Sequence, residues 1–250
     1  MKAVILAAGK GTRMNELTQE LPKPMLIGRD RPILENILTG LAAAGIGEIF
    51  IVTGYRADVI EHYFGDGSRW ETQIEYGRQE VQNGTGKAPE VAQAFVGTSP
   101  FLLTYGDILV EPVTYSRMIE RFYEGAFSGV ITVTRGQDVT QGGLNFFDEQ
   151  FCLVRVIEKP TAGQIQQLRT EGRIKPNNPV WYNAGIYIFQ PSLFEFTARL
   201  QKSERGEYEL TDAINGLLAA KHKLAGLEIA GPWVDVRDPE TLAGLREKGK

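Results

Sequence analysis

Short apolar runs of strand length alternate with amphipathic stretches through the first half of this 250-residue chain, and that alternation constrains the fold more than any other feature. Residues 2–6, 48–53, 72–76 and 101–105 each read as a strand. Between them, residues 32–41 place Ile33, Ile37 and Leu41 on one helical face, with Pro32 in the first turn and Gly45 as a stop. Residues 57–64 and 89–96 read as shorter helices, and Gly65-Asp66-Gly67 as a turn. A strand–helix–strand order predicts a parallel, doubly wound sheet. The second half differs. Residues 129–134, 144–147, 151–157 and 181–189 are strand-like, several too close together for helices between them, which predicts an antiparallel portion. Ser192-Leu193-Phe194-Glu195 has the pattern of a capping box, residues 210–220 read as a helix and 224–229 as a strand, and Asp238-Pro239 opens a terminal helix with Asp as N-cap.

The first strand runs straight into Ala7-Ala8-Gly9-Lys10-Gly11-Thr12-Arg13-Met14 and then Leu21-Pro22-Lys23-Pro24. Gly9 and Gly11 let a ligand approach the main chain, so backbone amides can face an anion. Arg13 adds a planar fork for phosphate oxygens and Lys23 a mobile point charge, held in an extended segment by its two prolines. A dinucleotide fingerprint needs a third small residue where Met14 stands, and no Gly-Lys-Ser/Thr sequence of a Walker loop is present. Two glycines alone fit a tight turn equally well.

The longer segment is more selective. Leu6-Ala7-Ala8-Gly9-Lys10-Gly11-Thr12-Arg13-Met14, followed by Pro22-Lys23-Pro24-Met25-Leu26, resembles the signature of the sugar-1-phosphate nucleotidyltransferases, the nucleotide-sugar pyrophosphorylases. The resemblance implies a nucleotide-diphospho-sugar transferase-like fold. That is a Rossmann-like, doubly wound mixed sheet, mostly parallel, with an added antiparallel sugar-side portion. It is expected as one domain over residues 1–250, with a nucleotide-binding half over about 1–127 and a sugar-binding half over about 128–250. It implies that Leu6, Ala8, Gly9, Gly11, Thr12, Arg13 and Lys23 hold a nucleoside triphosphate. Gln79, with Gly84 and Thr85 of Asn83-Gly84-Thr85-Gly86, resembles the base-reading segment, a Gln amide offering a donor and an acceptor to a base edge.

Asp107 ends the fourth strand beside Gly106, and it matches the family's metal aspartate; Mg²⁺ takes one or two carboxylates along with phosphate oxygens. Asp235 is implied as the second metal ligand, although Val236-Arg237 follows it where a Gly or Thr is common. Glu158-Lys159-Pro160 resembles the element whose lysine meets the sugar phosphate and whose glutamate meets sugar hydroxyls. Gly143 and Asn183 resemble further sugar contacts. The implied reaction is in-line attack of a sugar 1-phosphate oxygen on the α-phosphorus of the triphosphate, with release of pyrophosphate. Arg13, Lys23 and Lys159 are then the catalytic residues, and Mg²⁺ on Asp107 and Asp235 is the cofactor. UTP or dTTP with a glucose-type phosphate is the favoured pairing. Cytidylyl or guanylyl transfer, and a catalytically silent regulatory protein that binds nucleotide sugars, are the alternatives.

The remaining features narrow the partners. A net charge of −4 argues against a nucleic-acid partner, and no apolar stretch has transmembrane length. A membrane partner is not expected, the default location is cytoplasmic, and a homo-oligomer is compatible with the sequence. Cys152, the sole cysteine, reads as a core thiol, and His62 and His222 as surface residues near helix ends. Neither a Gly-x-Ser-x-Gly elbow nor a His/Cys metal cluster is present, so nothing supports a serine hydrolase or a zinc site. Met14 likewise leaves a nicotinamide oxidoreductase unsupported.

Overall fold

The computed structural model describes residues 1–28, 30–176 and 178–247, so residues 29, 177 and 248–250 of the expected domain span lie outside the described residues. Each apolar run of the first half is a strand, and in the first, second and fourth of them alternate residues serve two separate cores. In chain order the elements are β1 (Lys2–Leu6), α1 (Ile33–Ala43), β2 (Glu48–Thr53), α2 (Ala57–Phe64), β3 (Gln73–Arg78), α3 (Gln93–Val96), β4 (Phe101–Tyr105), β5 (Ile108–Val110) and α4 (Val113–Tyr123). They continue with β6 (Gly129–Thr134), β7 (Gly143–Phe147), β8 (Leu153–Glu158), α5 (Ala162–Thr170), β9 (Trp181–Phe189), α6 (Leu193–Thr197), α7 (Leu210–Ala219), β10 (Leu224–Glu228), β11 (Trp233–Asp235) and α8 (Pro239–Glu247).

The main sheet runs β10-β6-β9-β4-β1-β2-β3, and only β9 points the other way: it is antiparallel to both β4 and β6, while every other neighbouring pair is parallel. The hairpin β7–β8 hangs off β9 through Leu144 and Asn145. This is the Rossmann-like, largely parallel sheet with an antiparallel addition. Ala3, Ile5, Ile49 and Leu102 face the helices α1, α2, α4 and α8, whereas Val4, Leu6, Val52 and Leu103 face α3, α6 and α7. Burial on both faces explains why these strands read as continuous apolar runs. A smaller cluster of Val139, Leu144, Leu168 and Tyr182 closes the underside of the hairpin. Among the described residues no helix is long and apolar enough to cross a membrane.

Several local expectations need correction. Ser192 sits in a helical conformation with no side-chain cap hydrogen bond, so the capping box expected there is absent. A capping box does open α5, where Thr161 accepts from the Gln164 amide and Gln164 bonds back to the Thr161 amide. That helix fits between β8 and β9, where none was expected, and α4 was likewise unassigned despite buried Tyr115, Met118 and Phe122 at helical spacing. The 89–96 helix begins as a 3-10 turn over Ala88–Ala92. Cys152 is half-buried rather than a core thiol. His222 is also half-buried, with Nδ1 3.0 Å from Ser128 Oγ. Asp238 does cap α8, accepting from the Thr241 amide at 2.8 Å, with Pro239 at the first position.

One irregularity shapes the rest of the sheet. Between Ile131 and Val133 the β6–β9 register shifts, and β9 bulges outward over Ala184, Gly185 and Ile186. Gly185 adopts φ 77, where a Cβ would meet the Tyr105 ring. The fully buried Thr132 repairs the ladder there: its hydroxyl donates to the Ile186 carbonyl at 2.7 Å and accepts from the Ile186 amide at 3.3 Å. Thr132→Val keeps the shape and strands both backbone groups, which is expected to destabilise the fold by about 1–3 kcal/mol in urea unfolding. An unchanged midpoint would mean the bulge holds itself.

Candidate active site

Two adjoining hollows of about 250 and 330 Å³ lie beyond the carboxyl ends of the parallel strands and share Lys23, Thr85, Tyr105, Asp107 and Glu207. The first is built around the loop after β1. Gly11 adopts φ 62 and ψ 40 there, opening a 3-10 run over Thr12–Thr18. A Cβ on Gly11 would sit 2.9 Å from Lys23 Cβ, so glycine is required both for the turn and for the approach of the lysine segment. Met14 is fully buried and its amide donates to the Gly11 carbonyl at 2.8 Å, anchoring the loop in the core. Pro22 is extended, and its carbonyl receives the Met25 amide as the chain turns through Lys23–Met25. That geometry places the Lys23 ammonium against Asp107 in an ion pair.

The second carboxylate arrives by strand pairing. Asp107 immediately precedes β5 and Asp235 ends β11; the two strands pair antiparallel with Asp235 opposite Ile108, and the Val236 amide donates to the Asp107 carbonyl at 3.0 Å. Burial pushes the Asp235 carboxyl up first, and the charge of Asp107 pushes it further, while Lys23, Arg237 and Arg13 pull it down. Two neighbouring carboxylates whose charges oppose each other suit a hard divalent cation. Among the described residues there is no cluster of three or more His, Cys, Asp and Glu, so a cation held by this pair would take its further ligands from elsewhere, such as phosphate oxygens. The donor chemistry fits Mg²⁺.

The second hollow is walled by β7, β8, β9 and the segment 203–211. Lys159 follows β8 with φ 41, a conformation that a residue with a Cβ resists, and its amide donates to the Gly142 carbonyl at 2.9 Å. Glu158 beside it is pushed up by burial first and by Glu209 second, with Lys159 and Arg205 pulling the other way. Arg205 bridges the two glutamates, 2.6 Å from Glu209 and 3.7 Å from Glu158. Asn183 uses its carbonyl oxygen internally, accepting from Tyr187 at 2.9 Å and from the Gly185 amide at 3.1 Å, so its amide nitrogen is the group left for a ligand. Gly143 lies against it, where a Cβ would come 2.9 Å from Asn183 Cβ.

The residues expected from the sequence therefore converge. Leu6, Ala8, Gly9, Gly11, Gln79 and Gly84 line the first hollow; Arg13, Gly143, Glu158, Lys159, Asn183 and Asp235 line the second; Lys23, Thr85 and Asp107 line both. Thr12 is the exception. It opens the 3-10 run and lines neither hollow. Gly84, with φ 122, also has a role that the sequence did not suggest: a Cβ there would run into the backbone of Tyr208. Tyr208 in turn receives the Gly86 amide at 2.8 Å and donates to the Asn83 carbonyl at 2.9 Å, which docks the 203–209 segment across both hollows. That docking brings in Arg205, Glu207 and Glu209, which sequence reasoning missed because Glu204-Arg205-Gly206-Glu207 reads as a solvated charged loop. Gln82, Tyr182, Trp233 and Arg237 were also missed; Arg237 alone had a signal, its spacing of two from Asp235.

Comparison with known proteins identifies the family. The sequence profile of the nucleotidyl transferase family matches residues 2–248. The low-salt glycan biosynthesis nucleotidyltransferase Agl11 of Haloferax volcanii is 32% identical over 244 residues, covering 97% of this chain and 64% of the relative. The bifunctional protein GlmU of Methanococcus maripaludis is 35% identical over 239 residues, covering 96% of this chain and 52% of the relative. The chain thus spans between half and two thirds of the length of these relatives. A crystal structure from Bacillus anthracis, named as a glucose-1-phosphate thymidylyltransferase in complex with a sucrose, superposes with a TM-score of 0.84 at 22% identity, covering 100% of this chain and 95% of that one. It shares the fold.

Glu158 supplies a test of the site's electrostatics. Because its folded-state pKa lies above the unfolded value, the native state holds its proton to higher pH, and ionisation of Glu158 costs stability as pH rises. Glu158→Gln should raise the melting temperature of the ligand-free protein at pH 7, with the gain shrinking as pH falls toward the ordinary glutamate pKa of about 4.3. A loss of stability at pH 7 would mean that the Arg205 contact outweighs the burial.

Proposed function

Because the chain belongs to the nucleotidyl transferase family, we propose that it transfers a nucleotidyl group from a nucleoside triphosphate to a sugar 1-phosphate and releases pyrophosphate. The observation that carries this reading is the junction of the two hollows. Lys23 and Asp107 line both, and Arg13, Lys159 and Asp235 line the second beside them. Two phosphorylated substrates meeting at one point need cations and a shared centre. This site supplies that.

The chemistry asks for little covalent work from the protein and much positioning. The sugar 1-phosphate oxygen attacks the α-phosphorus in line; that bond forms as the bond to the β-phosphate oxygen breaks, and pyrophosphate leaves with the electron pair. Arg13 forks onto the triphosphate oxygens. Lys23 trades its ion pair with Asp107 for phosphate oxygens when the triphosphate arrives. Lys159, aimed by its left-handed backbone, orients the attacking phosphate, and the Asn183 amide nitrogen and Glu158 take sugar hydroxyls. Asp107 and Asp235 would hold Mg²⁺, which when bound neutralises phosphate charge and fixes the α-phosphate geometry.

On the base side, Gln79 Nε2 is buried without a hydrogen-bond partner and borders the first hollow, an unsatisfied donor that suits a base carbonyl. A base carbonyl is offered by UTP and dTTP, and also by CTP and GTP; UTP or dTTP with a glucose-type phosphate is the pairing proposed, with the chain acting as one catalytic domain in the cytoplasm. Incubation with Mg²⁺, each common triphosphate and a set of sugar 1-phosphates should release pyrophosphate from one pairing. CTP or GTP as the required partner would move the base assignment. Saturable nucleotide-sugar binding with no release from any pair would instead mark a sensor. Arg13→Ala should lower turnover by roughly 10²–10³, by analogy with losing one transition-state donor. Near-normal turnover would remove Arg13 from that role.

A further inference from the structure

Tyr182 is a side chain of the second hollow that the reaction above leaves unused. It lies on β9 opposite Leu144, is 4% exposed, and packs edge-on against Trp233 with centroids 5.5 Å apart and an interplanar angle of 64°. Trp233 is itself fixed by donating from Nε1 to the Ala184 carbonyl at 2.9 Å. The ring therefore has little freedom. A Cβ placed on Gly142 would run into the Tyr182 hydroxyl and Cζ, so the phenol occupies the room a side chain at 142 would take. Gly142 has φ −157, extended backbone open to any residue; glycine is needed there for space alone.

The hydroxyl has no hydrogen-bond partner among the described residues, and the side chain borders the hollow. Its oxygen is not one of the fully buried, unpartnered polar atoms, so it is open to the hollow. A rigid donor with no internal partner discriminates, because a ligand that covers it and cannot accept leaves it unpaired.

Resting on the reading of this hollow as the sugar site, we propose that Tyr182 is a specificity-determining residue: its hydroxyl donates to a ring hydroxyl of the sugar 1-phosphate, and its bulk excludes a sugar enlarged by acylation at that position. Gly142 is the positioning residue that makes the room. The site thus favours unsubstituted hexose 1-phosphates over acetamido-bearing ones.

The test compares wild type, Tyr182→Phe, Tyr182→Ala and Gly142→Ala with glucose, galactose, mannose and N-acetylglucosamine 1-phosphates at a fixed triphosphate. Wild type should prefer an unsubstituted hexose. Tyr182→Phe, which keeps the packing, should raise KM for that sugar about tenfold with kcat and the triphosphate KM little changed. Gly142→Ala should do the same by displacing the phenol. Tyr182→Ala should shift the kcat/KM ratio toward N-acetylglucosamine 1-phosphate by at least about tenfold. A wild-type preference for the acetamido sugar, or unchanged KM and ratio in the Phe and Ala variants, would overturn the proposal. If wild type released no pyrophosphate from any pair, the reaction would fail on its own. Calorimetric titration of glucose 1-phosphate would then judge Tyr182, with weaker binding to Tyr182→Phe supporting it, and equal binding or none to wild type overturning it.

Discussion

The site depends on one short antiparallel contact, the pairing of β5 with β11. Two carboxylates far apart in sequence resist being brought together, because each raises the energy of the other's charge. The fold overcomes this with backbone: three register pairs and the Val236 amide on the Asp107 carbonyl set the separation without any attraction between the side chains. Lys23, Arg237 and Arg13 then supply the compensating charge. The cations are arranged around a position that the main chain has already fixed, so small side-chain movements redistribute charge without dispersing the carboxylates.

What could be read from the sequence follows from where local chemistry is sufficient. β2, α2 and β4 match their expected bounds because apolar pattern and flanking glycines agree there. The turn at Gly11 was legible because its backbone requires glycine, whereas Lys23, expected in an extended segment, opens a 3-10 turn over Lys23–Met25 and only Pro22 is extended. Thr12 belongs to the same motif yet lines neither hollow, since adjacency in a motif does not by itself bring a side chain to the cavity wall. The capping box at Ser192 failed because Pro191 and Ser192 continue directly into the turn of α6, leaving the serine helical, with no extended cap.

The features that escaped are long-range. No period in the sequence shows that β9 reverses between β4 and β6, or that a threonine on β6 replaces the missing ladder partner of Ile186. The 203–209 segment is similar. Its charges look solvated until Tyr208 exchanges hydrogen bonds with Asn83 and Gly86, and only then does Arg205 come between Glu158 and Glu209. Gly142 and Tyr182 are intelligible only as a pair, since the small residue on one strand is explained by the large one on another.

The reversed strand has an evolutionary consequence. β9 carries a wall of the second hollow, yet its last four residues pair with β4, whose Tyr105 borders both hollows. A recombination joint between the two halves would cut through a continuous hydrogen-bonded sheet, and a transplanted wall would have to reproduce the bulge that seats Gly185 against the Tyr105 ring. A new ligand preference in such a cleft is therefore reached by point substitution within an inherited frame, and descendants of the chain should diverge at the side chains of the cleft long before they diverge in strand order.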